Sequence, residues 1–386
     1  MKIDKKFLNG VLVGIIIVLL LNLMIRTFTD DMGQKKLAEI QQVIDKNFSG
    51  EIDEEKLKDY MYLGYVSGLE DRYSYYMNKE TFEEFMKQSE GSYVGIGVST
   101  TIDSKDNKIK IVSIFEGSDA ASSGIQVGDK IIKVKNTSVD QSNYTEAINA
   151  IRGAEDTKIN LTIFRESENK TFETEVTRKS IDIPTVSGEL LENEIGYIKI
   201  SEFDRVTYSQ YTNAFNNLKE QGMKLLLIDL RNNPGGLLDT VVKITDTLVP
   251  KGTITYIEDK YGNKSYEYSD ENCINMPLVI LINGNSASAS EVLTGAVKDF
   301  GVGKLVGEKT FGKGVVQNTF KLSDGSGIKV TIAKYYTPNG ICIHGEGIEP
   351  DYEVKNNNYD DSMIELPPME DDKQLQKAIE VIKSID

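Results

Sequence analysis

One stretch of the 386-residue chain carries most of the information about its architecture: Pro277-Leu-Val-Ile-Leu-Ile-Asn-Gly-Asn-Ser-Ala-Ser-Ala-Ser-Glu291. Its first half is a short apolar run, which is typical of a strand covered on both faces of a sheet. Its second half is a Ser/Ala-rich turn that leads into a predicted helix over residues 289–300. A strand, a turn and a helix in this order predict an α/β layered domain, with a site at the turn.

The sequence around this stretch continues the alternation of strands and helices. Strands are predicted over residues 195–200, 224–230 and 277–282, and helices over residues 208–221, 237–248 and 289–300. We therefore expect residues 181–355 to form one α/β core. Residues 356–386 are an acidic tail, which is expected to end in a short helix near residues 373–385.

Residues 93–180 have a different pattern, in which short apolar runs are broken by Gly, Asp and Asn. Strands are predicted over residues 94–98, 109–114, 130–134 and 158–164, and a helix over residues 144–151. Several short strands with one or two helices predict a small, partly open β-barrel.

Residues 31–92 are predicted to be helical and rich in polar residues. Helices are indicated around residues 36–44, after residue 52, and from Thr81, which has Glu84 three residues later in a capping pattern. This segment has too little apolar surface for a core of its own. We therefore expect it to pack on the rest of the chain or on a second copy, which makes a homodimer the expected assembly.

Residues 1–30 predict a membrane anchor. Residues 7–25 are mostly apolar and just long enough to span a hydrocarbon core. Lysines precede this run and two aspartates follow it, so the positive-inside rule places the N-terminus in the cytoplasm and the rest of the chain across the cell membrane. A cleaved signal peptide is the alternative, but its apolar region would be shorter and would end in a small-x-small site.

Composition limits the partners of the chain. A net charge of −16 argues against nucleic acid, which needs a basic face. The two cysteines, Cys273 and Cys342, have no metal-ligand spacing and make no disulfide framework, so we expect no metal and no cofactor. A single bridge between them remains an alternative to two half-buried thiols.

The Ser/Ala-rich turn offers three candidate nucleophiles, Ser286, Ser288 and Ser290. Spacing alone does not choose among them, and each could instead cap the following helix. A serine nucleophile needs a base, but the one histidine, His344, lies in a Gly/Glu-rich stretch typical of a surface turn. Lysine is the other side chain that serves as this base.

Lys313 is the candidate base, and it lies in Gly307-Glu-Lys-Thr-Phe-Gly-Lys-Gly314. This segment nearly matches a phosphate-binding P-loop, but Gly314 replaces the Ser or Thr that binds magnesium. The residues that follow are strand-like, whereas a P-loop opens a helix. We therefore exclude nucleotide binding and expect the glycines to let the loop carry an amine into a confined site.

A third segment, Leu230-Arg-Asn-Asn-Pro-Gly-Gly236, follows an apolar strand at the edge where open α/β sheets place their sites. Gly235 and Gly236 can expose consecutive backbone N–H groups, and Ala289 adds one at a helix N-terminus. These three are the candidate oxyanion hole, although an ordinary strand-to-helix connection is the alternative for the glycine segment.

Together these segments resemble those of the carboxy-terminal processing proteases, the tail-specific serine peptidases. The matching segments are residues 229–236, 283–291 and 307–317. The resemblance implies a crotonase-like α/β core in which Ser288, between two alanines, is the nucleophile, Lys313 the base and Gln317 the partner of the base. Residues 68–74 are similar to a helical segment of the family, with Glu70 where glycine is expected.

Residues 93–98, 118–129 and 151–153 resemble a peptide-binding PDZ module. The resemblance implies that the backbone of Gly95, Ile96, Gly97 and Val98 binds the carboxylate of a substrate with an apolar C-terminus, which adds a strand to the module. Arg152 is a candidate relay from the module to the protease core, or else a solvated cation at a helix end. Two other functions remain open: a catalytically idle PDZ scaffold, and an acyl-CoA enzyme, which leaves the anchor and the PDZ module unexplained.

Overall fold

The computed structural model describes residues 33–89, 92–115, 117–356 and 366–385. The predicted anchor at residues 7–25 lies outside these ranges. Within them, no helix is both long enough and apolar enough to cross a bilayer. The chain divides into two compact units, Met1–Tyr62 and Leu63–Asp386.

The helical N-terminal segment is confirmed in its main features. Helix α1 covers residues 33–47 and is followed by α2 (Glu54–Ser67), where the N–H of Lys56 donates to Asp53 Oδ1 at 3.0 Å. Strand β1 (Tyr75–Met77) and helix α3 (Lys79–Ser89) come next. The expected cap of α3 at Thr81 was three residues too late, because Asn78 is the capping residue and accepts the Thr81 N–H at 3.0 Å.

Residues 92–182 form the predicted small barrel. Its elements are β2 (Ser92–Gly95), β3 (Val98–Ile102), β4 (Ile109–Ile114), α4 (Asp119–Ser122), β5 (Lys130–Val134), β6 (Thr137–Ser138), α5 (Tyr144–Ile151), β7 (Lys158–Arg165), β8 (Lys170–Thr177) and β9 (Lys179–Asp182). Strands β3-β4-β5-β7-β8 follow one another in one sheet, and β2 pairs separately with β9. The run predicted as one strand over residues 94–98 is two strands, because Gly97 turns the chain at a φ of +86°.

The described residues from Val186 onward form the α/β core. Its elements are β10 (Val186–Leu191), β11 (Ile195–Ile200), α6 (Thr207–Glu220), β12 (Leu225–Asp229), α7 (Leu238–Asp246), β13 (Gly252–Asp259), β14 (Lys264–Ser269), β15 (Leu278–Ile282), α8 (Ala289–Phe300), β16 (Lys304–Gly307), β17 (Val315–Lys321), β18 (Gly327–Tyr336), β19 (Tyr352–Glu353) and α9 (Lys373–Lys383). The main sheet has the order β10-β11-β12-β15-β16-β19, with parallel pairing from β11 onward. A second sheet has the order β1-β18-β13-β14, with β17 also paired to β18.

Both faces of the main sheet are covered. One face packs with α6, α7 and α8 around a cluster that includes Ile198, Ile228 and Ile280. The neighbouring residues of the same strands point to the opposite face, where α9 packs through Leu375 and Ile382. Burying side chains of this size stabilises the fold by about 1.5–3 kcal/mol each. The helix that the sequence assigned to an acidic tail is therefore the second cover of the core sheet.

Buried ion pairs connect α9 to the main sheet. Arg231, two residues after the end of β12, is almost fully buried and binds Asp229 through Nε and Nη2. Its Nη1 donates to both carboxylate oxygens of Asp372 at 2.9 and 2.8 Å, at the start of α9. One buried guanidinium thus joins the carboxylate at the end of β12 to the carboxylate that caps α9, which holds the start of α9 close to the glycine segment 230–236.

Candidate active site

Ser288 lies in the turn between β15 and α8 and has a strained backbone, with φ 57° and ψ −112°. A non-glycine residue in this region costs roughly 1–3 kcal/mol and needs support from its surroundings. Sharp strand-to-helix turns of this kind project a nucleophile away from the sheet. The local geometry of Ser288 is therefore that of a presented side chain.

The two flanking serines are fully buried and hold the turn together. Ser286 Oγ donates to the carbonyl of Leu230 at 2.8 Å and accepts the N–H of Asn283 at 2.9 Å. Ser290 Oγ donates to the carbonyl of Asn233 at 3.0 Å. Ser288, by contrast, is only half-buried. Of the three candidate serines, it is the one that a substrate can reach.

The carboxylate of Glu291 joins the serine turn to the lysine loop. Its Oε2 accepts the N–H of Ser288 at 2.8 Å and the N–H of Lys313 at 2.9 Å. Its Oε1 accepts the Thr310 hydroxyl at 2.6 Å and the N–H of Gly312 at 2.7 Å. Burial raises the pKa of Glu291, although all four donors oppose that shift. One buried side chain thus sets the backbone positions of both predicted catalytic residues.

Lys313 is half-buried, and its surroundings disfavour the charged amine. Burial lowers the pKa of Lys313, and the nearby cations Lys329 and Arg72 lower it further, while Glu291 acts in the opposite direction. The Nζ atom lies 5.1 Å from the centroid of the Tyr73 ring. A lysine whose pKa is lowered by burial and neighbouring charge can act as a general base.

The structure brings Ser288 and Lys313 into one site through their backbones, but it does not join their reactive atoms. Within the described ranges, no hydrogen bond links Ser288 Oγ to Lys313 Nζ. The side chain of Gln317, on β17, also does not bind the lysine. Its Nε2 donates to the carbonyl of Val315 at 3.3 Å and to Thr331 Oγ1 at 3.4 Å.

The candidate oxyanion hole lies against the serine turn. A Cβ atom on Gly235 would come within 2.8 Å of Ser288 Cβ and 2.9 Å of the Ala289 nitrogen, so glycine permits this close approach. The N–H of Gly235 already donates to Asn233 Oδ1 at 2.9 Å. The N–H groups of Gly236 and Ala289 have no acceptor within the part of the chain that the structure describes. These two are the donors that remain for an oxyanion.

In the small barrel, the predicted carboxylate-binding loop lies at the start of β3, an edge strand of its sheet. The carbonyls of Ile96 and Gly97 accept the N–H groups of Ala120 and Phe115, at 3.1 and 2.9 Å. Helix α5 reaches β3 at its first residue, Tyr144, whose hydroxyl lies 3.0 Å from Thr100 Oγ1. This arrangement suits the addition of a peptide strand.

Arg152 is exposed and follows α5 as its C-cap residue. A second arginine, which the sequence analysis did not single out, lies beside it. Arg178 is buried, and its Nε donates to the carbonyls of Ile151 and Arg152 at 2.8 and 3.1 Å. Arg178 therefore binds the free carbonyls at the end of α5, where a cation also complements the helix dipole.

Several residues of the site were missed by the sequence analysis. Glu291 carries a recognisable signal, since Ser288 followed three residues later by Glu is a capping-box pattern. Tyr73 and Arg72 carry no such local signal, because β1 brings them to the lysine by pairing with β18. His344 is exposed in a turn, as predicted. Cys273 is exposed and Cys342 half-buried, and both are free thiols.

Three family models match the chain. Residues 194–354 match peptidase family S41, residues 84–164 match the PDZ domain, and residues 24–81 match the N-terminal domain of the activating protease CtpB. The protease and PDZ matches fall on the α/β core and the small barrel. They account for the two folded modules described above.

Relatives with known names agree with these matches. The chain is 34% identical over 385 residues to the carboxy-terminal processing protease CtpA of Bacillus subtilis, covering 97% of this chain and 81% of that protein. It is 36% identical over 335 residues to a probable CtpA-like serine protease of Staphylococcus aureus strain N315, covering 86% of this chain and 66% of that protein.

Among solved structures, the photosystem II D1 C-terminal processing protease is similar at a TM-score of 0.50 and 29% identity, covering 82% of this chain and 86% of that one. A putative S41 protease from Bacteroides fragilis NCTC 9343 is similar at a TM-score of 0.52 and 16% identity, covering 88% of this chain and 93% of that one. The second likeness concerns the fold alone.

Proposed function

Because the chain belongs to the carboxy-terminal processing proteases of peptidase family S41, we propose that it cleaves peptide bonds with Ser288 as the nucleophile and Lys313 as the general base. The chain is a serine peptidase with a PDZ domain. The observation that carries the assignment of the two residues is the Glu291 carboxylate, whose Oε2 accepts the backbone N–H of both. An idle scaffold has no need for this connection.

The proposed reaction begins with the neutral Lys313 amine. As Ser288 Oγ attacks the scissile carbonyl carbon, its proton passes to Lys313 Nζ, and the carbonyl oxygen becomes an oxyanion. The N–H groups of Gly236 and Ala289 are the proposed donors to that oxyanion. The carbon–nitrogen bond then breaks, and the Lys313 ammonium gives its proton to the leaving amine. A water molecule, deprotonated by Lys313, hydrolyses the acyl-enzyme and restores the site.

Gln317 is proposed to orient the Lys313 amine. Its two present hydrogen bonds, at 3.3 and 3.4 Å, are longer than usual and weak, so little is lost if the side chain turns toward the lysine. A neutral amide can accept from the amine without the charge that would stabilise the ammonium form. The Ser288–Lys313 hydrogen bond is likewise expected when substrate is bound, since catalytic hydrogen bonds often tighten only in that complex.

The PDZ domain is proposed to bind the tail of the substrate. Gly95, Ile96, Gly97 and Val98 would donate backbone N–H groups to its carboxylate, and the tail would add antiparallel to β3, beside α5. Selection of an apolar C-terminal residue fits the apolar cluster behind this loop, which includes Ile96 and Val98. Arg152, at the end of α5, is the proposed relay of tail binding to the protease core.

Residues 7–25 are proposed to anchor the chain in the cell membrane, with the N-terminus in the cytoplasm and the catalytic domain outside it. The N-terminal helices are proposed to pair with those of a second copy, because α1 exposes Leu37, Ile40 and Val43 on one face. The proposed domain boundaries are residues 31–92, 93–180 and 181–355, with residues 356–386 as a tail whose helix completes the core.

The test compares single serine variants on one protein substrate with an apolar C-terminus, with the new termini identified by mass spectrometry. Ser288→Ala should abolish cleavage with an unchanged melting temperature, since a half-buried hydroxyl adds little stability. The matched control is Ser286→Ala, which removes a buried hydroxyl with two partners and should lose stability but keep turnover per folded molecule. Cleavage by Ser288→Ala at the wild-type rate would refute the assignment.

A further inference from the structure

Arg72 is brought against the lysine loop by the segment that precedes β1. The guanidinium carbon lies 4.7 Å from the ring centroid of Tyr73 and 4.9 Å from that of Phe311, which lies two residues before Lys313. The guanidinium also donates to the hydroxyl of Tyr73. Stacking on two rings gives this exposed arginine a defined position, which a solvated surface cation would not have.

The ring of Tyr73 is shared between two cations. Lys313 Nζ lies 5.1 Å from the Tyr73 ring centroid, and the Arg72 guanidinium carbon lies 4.7 Å from it. The distance between the amine and the guanidinium carbon therefore cannot exceed the sum of these two distances. The Tyr73 ring is half-buried. The two positive charges are therefore close enough to act on each other through a partly apolar medium.

In the described ranges, the Arg72 guanidinium hydrogen-bonds to the Tyr73 hydroxyl and forms no ion pair with a carboxylate. The adjacent Asp71 carboxylate is hydrogen-bonded elsewhere. Asp71 accepts the Ser74 hydroxyl at 2.6 Å and the N–H of Tyr73 at 3.1 Å. Ser74 in turn accepts the N–H of Thr331 at 3.0 Å, which ties the segment to β18. The segment is thus held by polar contacts that leave the guanidinium charge free to act on the lysine.

Other charged groups also face Lys313. Lys329 on β18 lies over Tyr75 and Phe85, and it opposes the ammonium form as Arg72 does. Glu291 on α8 favours the ammonium form. His344 lies beyond Tyr73, with a centroid distance of 6.3 Å between the two rings. The positive charges of Arg72 and Lys329 therefore oppose the effect of the Glu291 carboxylate, which favours the ammonium form of Lys313.

We propose that Arg72 is a positioning residue of the lysine site. Its guanidinium holds the rings of Tyr73 and Phe311 against the lysine loop, and its positive charge, unpaired among the described residues, favours the neutral form of the Lys313 amine. The functional part of this inference rests on the proposed role of Lys313 as the base. Sequence position alone does not suggest it, because Arg72 and Lys313 are brought together only by the pairing of β1 with β18.

A charge series at residue 72 tests the proposal: Arg72→Lys, Arg72→Gln and Arg72→Glu in the full chain. The first measurement is kcat/KM against pH. Removing an exposed charge within ~10 Å should move the acid limb up by roughly half a pH unit, and reversing it by about one unit. At a pH on that limb, the kcat/KM of Arg72→Gln should be about threefold below that of the wild type. On the alkaline plateau, the two values of kcat/KM should converge. Arg72→Lys should keep the wild-type limb, and high salt should shrink the shifts.

A second measurement does not depend on catalysis. In the Ser288→Ala background, the pH dependence of Lys313 acetylation by acetic anhydride, followed by mass spectrometry, reports the fraction of neutral amine. The midpoint of this acetylation profile should shift by the same number of pH units as the acid limb of kcat/KM, in the same order of variants. The control is Lys251→Gln, which removes a surface cation already paired with Glu271 at 2.9 Å and should move neither profile.

The outcomes separate the two proposals. An equal loss of activity at every pH, with an unchanged acetylation profile, would overturn the proposed effect of the Arg72 charge on the Lys313 amine. A shifted acetylation profile with an unshifted activity limb would support the effect of Arg72 on the amine and remove Lys313 as the base. Full activity of Arg72→Glu with both profiles unchanged would also overturn the inference.

Discussion

Replacing Glu291 by glutamine tests how much of the active site depends on one buried carboxylate. The change keeps the size of the side chain but turns one acceptor oxygen into a donor group. In one orientation, the new amide NH2 faces the N–H groups of Ser288 and Lys313, so donors oppose donors. In the other orientation, it faces the N–H of Gly312 and the Thr310 hydroxyl, which already accepts the N–H of Ile348.

The magnitude follows from these contacts. A hydrogen bond to a charged group contributes about 1.5–3 kcal/mol, and either orientation loses one or two of them. Removal of a buried charge offsets part of this loss. We therefore expect a net destabilisation of roughly 2–4 kcal/mol, and a melting temperature lower by roughly 5–10 °C. The strained backbone of Ser288 also loses its support, and a displacement of ~1 Å in a site costs about 100-fold in rate.

The assay measures kcat/KM well below the melting temperature, together with the melting curve itself. The matched control is Asp299→Asn on the same helix, since Asp299 is half-buried and, among the described residues, accepts one backbone N–H, from Asn339 at 2.8 Å. It should leave kcat/KM within about twofold, as expected for a surface substitution. A glutamine variant with wild-type kcat/KM and an unchanged melting temperature would refute the idea that Glu291 positions both proposed catalytic residues.

Further predictions concern Lys313, Glu70 and the loop at the start of β3. Because burial lowers the pKa of Lys313, the native state binds fewer protons at this residue than the unfolded chain does. The lysine therefore lowers the free energy of unfolding at neutral pH, and this destabilisation decreases as the pH rises toward 10.5. Lys313→Met should be inactive yet more stable in urea at pH 7, and equal stability at pH 7 would contradict the lowered pKa. Glu70 has a φ of +54°, so Glu70→Gly should raise the free energy of unfolding by about 1 kcal/mol, whereas Lys58→Gly inside α2 should lower it by a similar amount. A fluorescent peptide with an apolar C-terminus should bind the Ser288→Ala chain at least ~10-fold more tightly than the same peptide with a C-terminal amide, because amidation removes the charged acceptor. Binding is measured by an anisotropy titration. Equal affinity of the two peptides would exclude carboxylate recognition by the Gly95–Val98 loop.

Local patterns predicted the elements well. Strand β11, helix α5 and helix α8 have the predicted bounds, because their apolar periodicity and turn residues act within a few positions. The expectation of glycine at residue 70 also has a local cause, since Glu70 adopts the left-handed conformation that glycine favours. The misplaced cap of α3 concerns a choice between two capping residues three positions apart, Asn78 and Thr81, and periodicity does not make that choice.

The sequence by itself determined the α/β alternation, the second small barrel, and the pairing of a serine turn with a lysine loop in a chain with one histidine. Only the tertiary structure decided that Ser286 and Ser290 are structural and Ser288 is accessible, because burial depends on what packs against the turn. It also decided that α9 belongs to the core and that Glu291, Arg72 and Lys329 meet at Lys313. Hydrogen bonds and charges act through space, so residues far apart in the chain set the state of the amine, and no local pattern records that proximity.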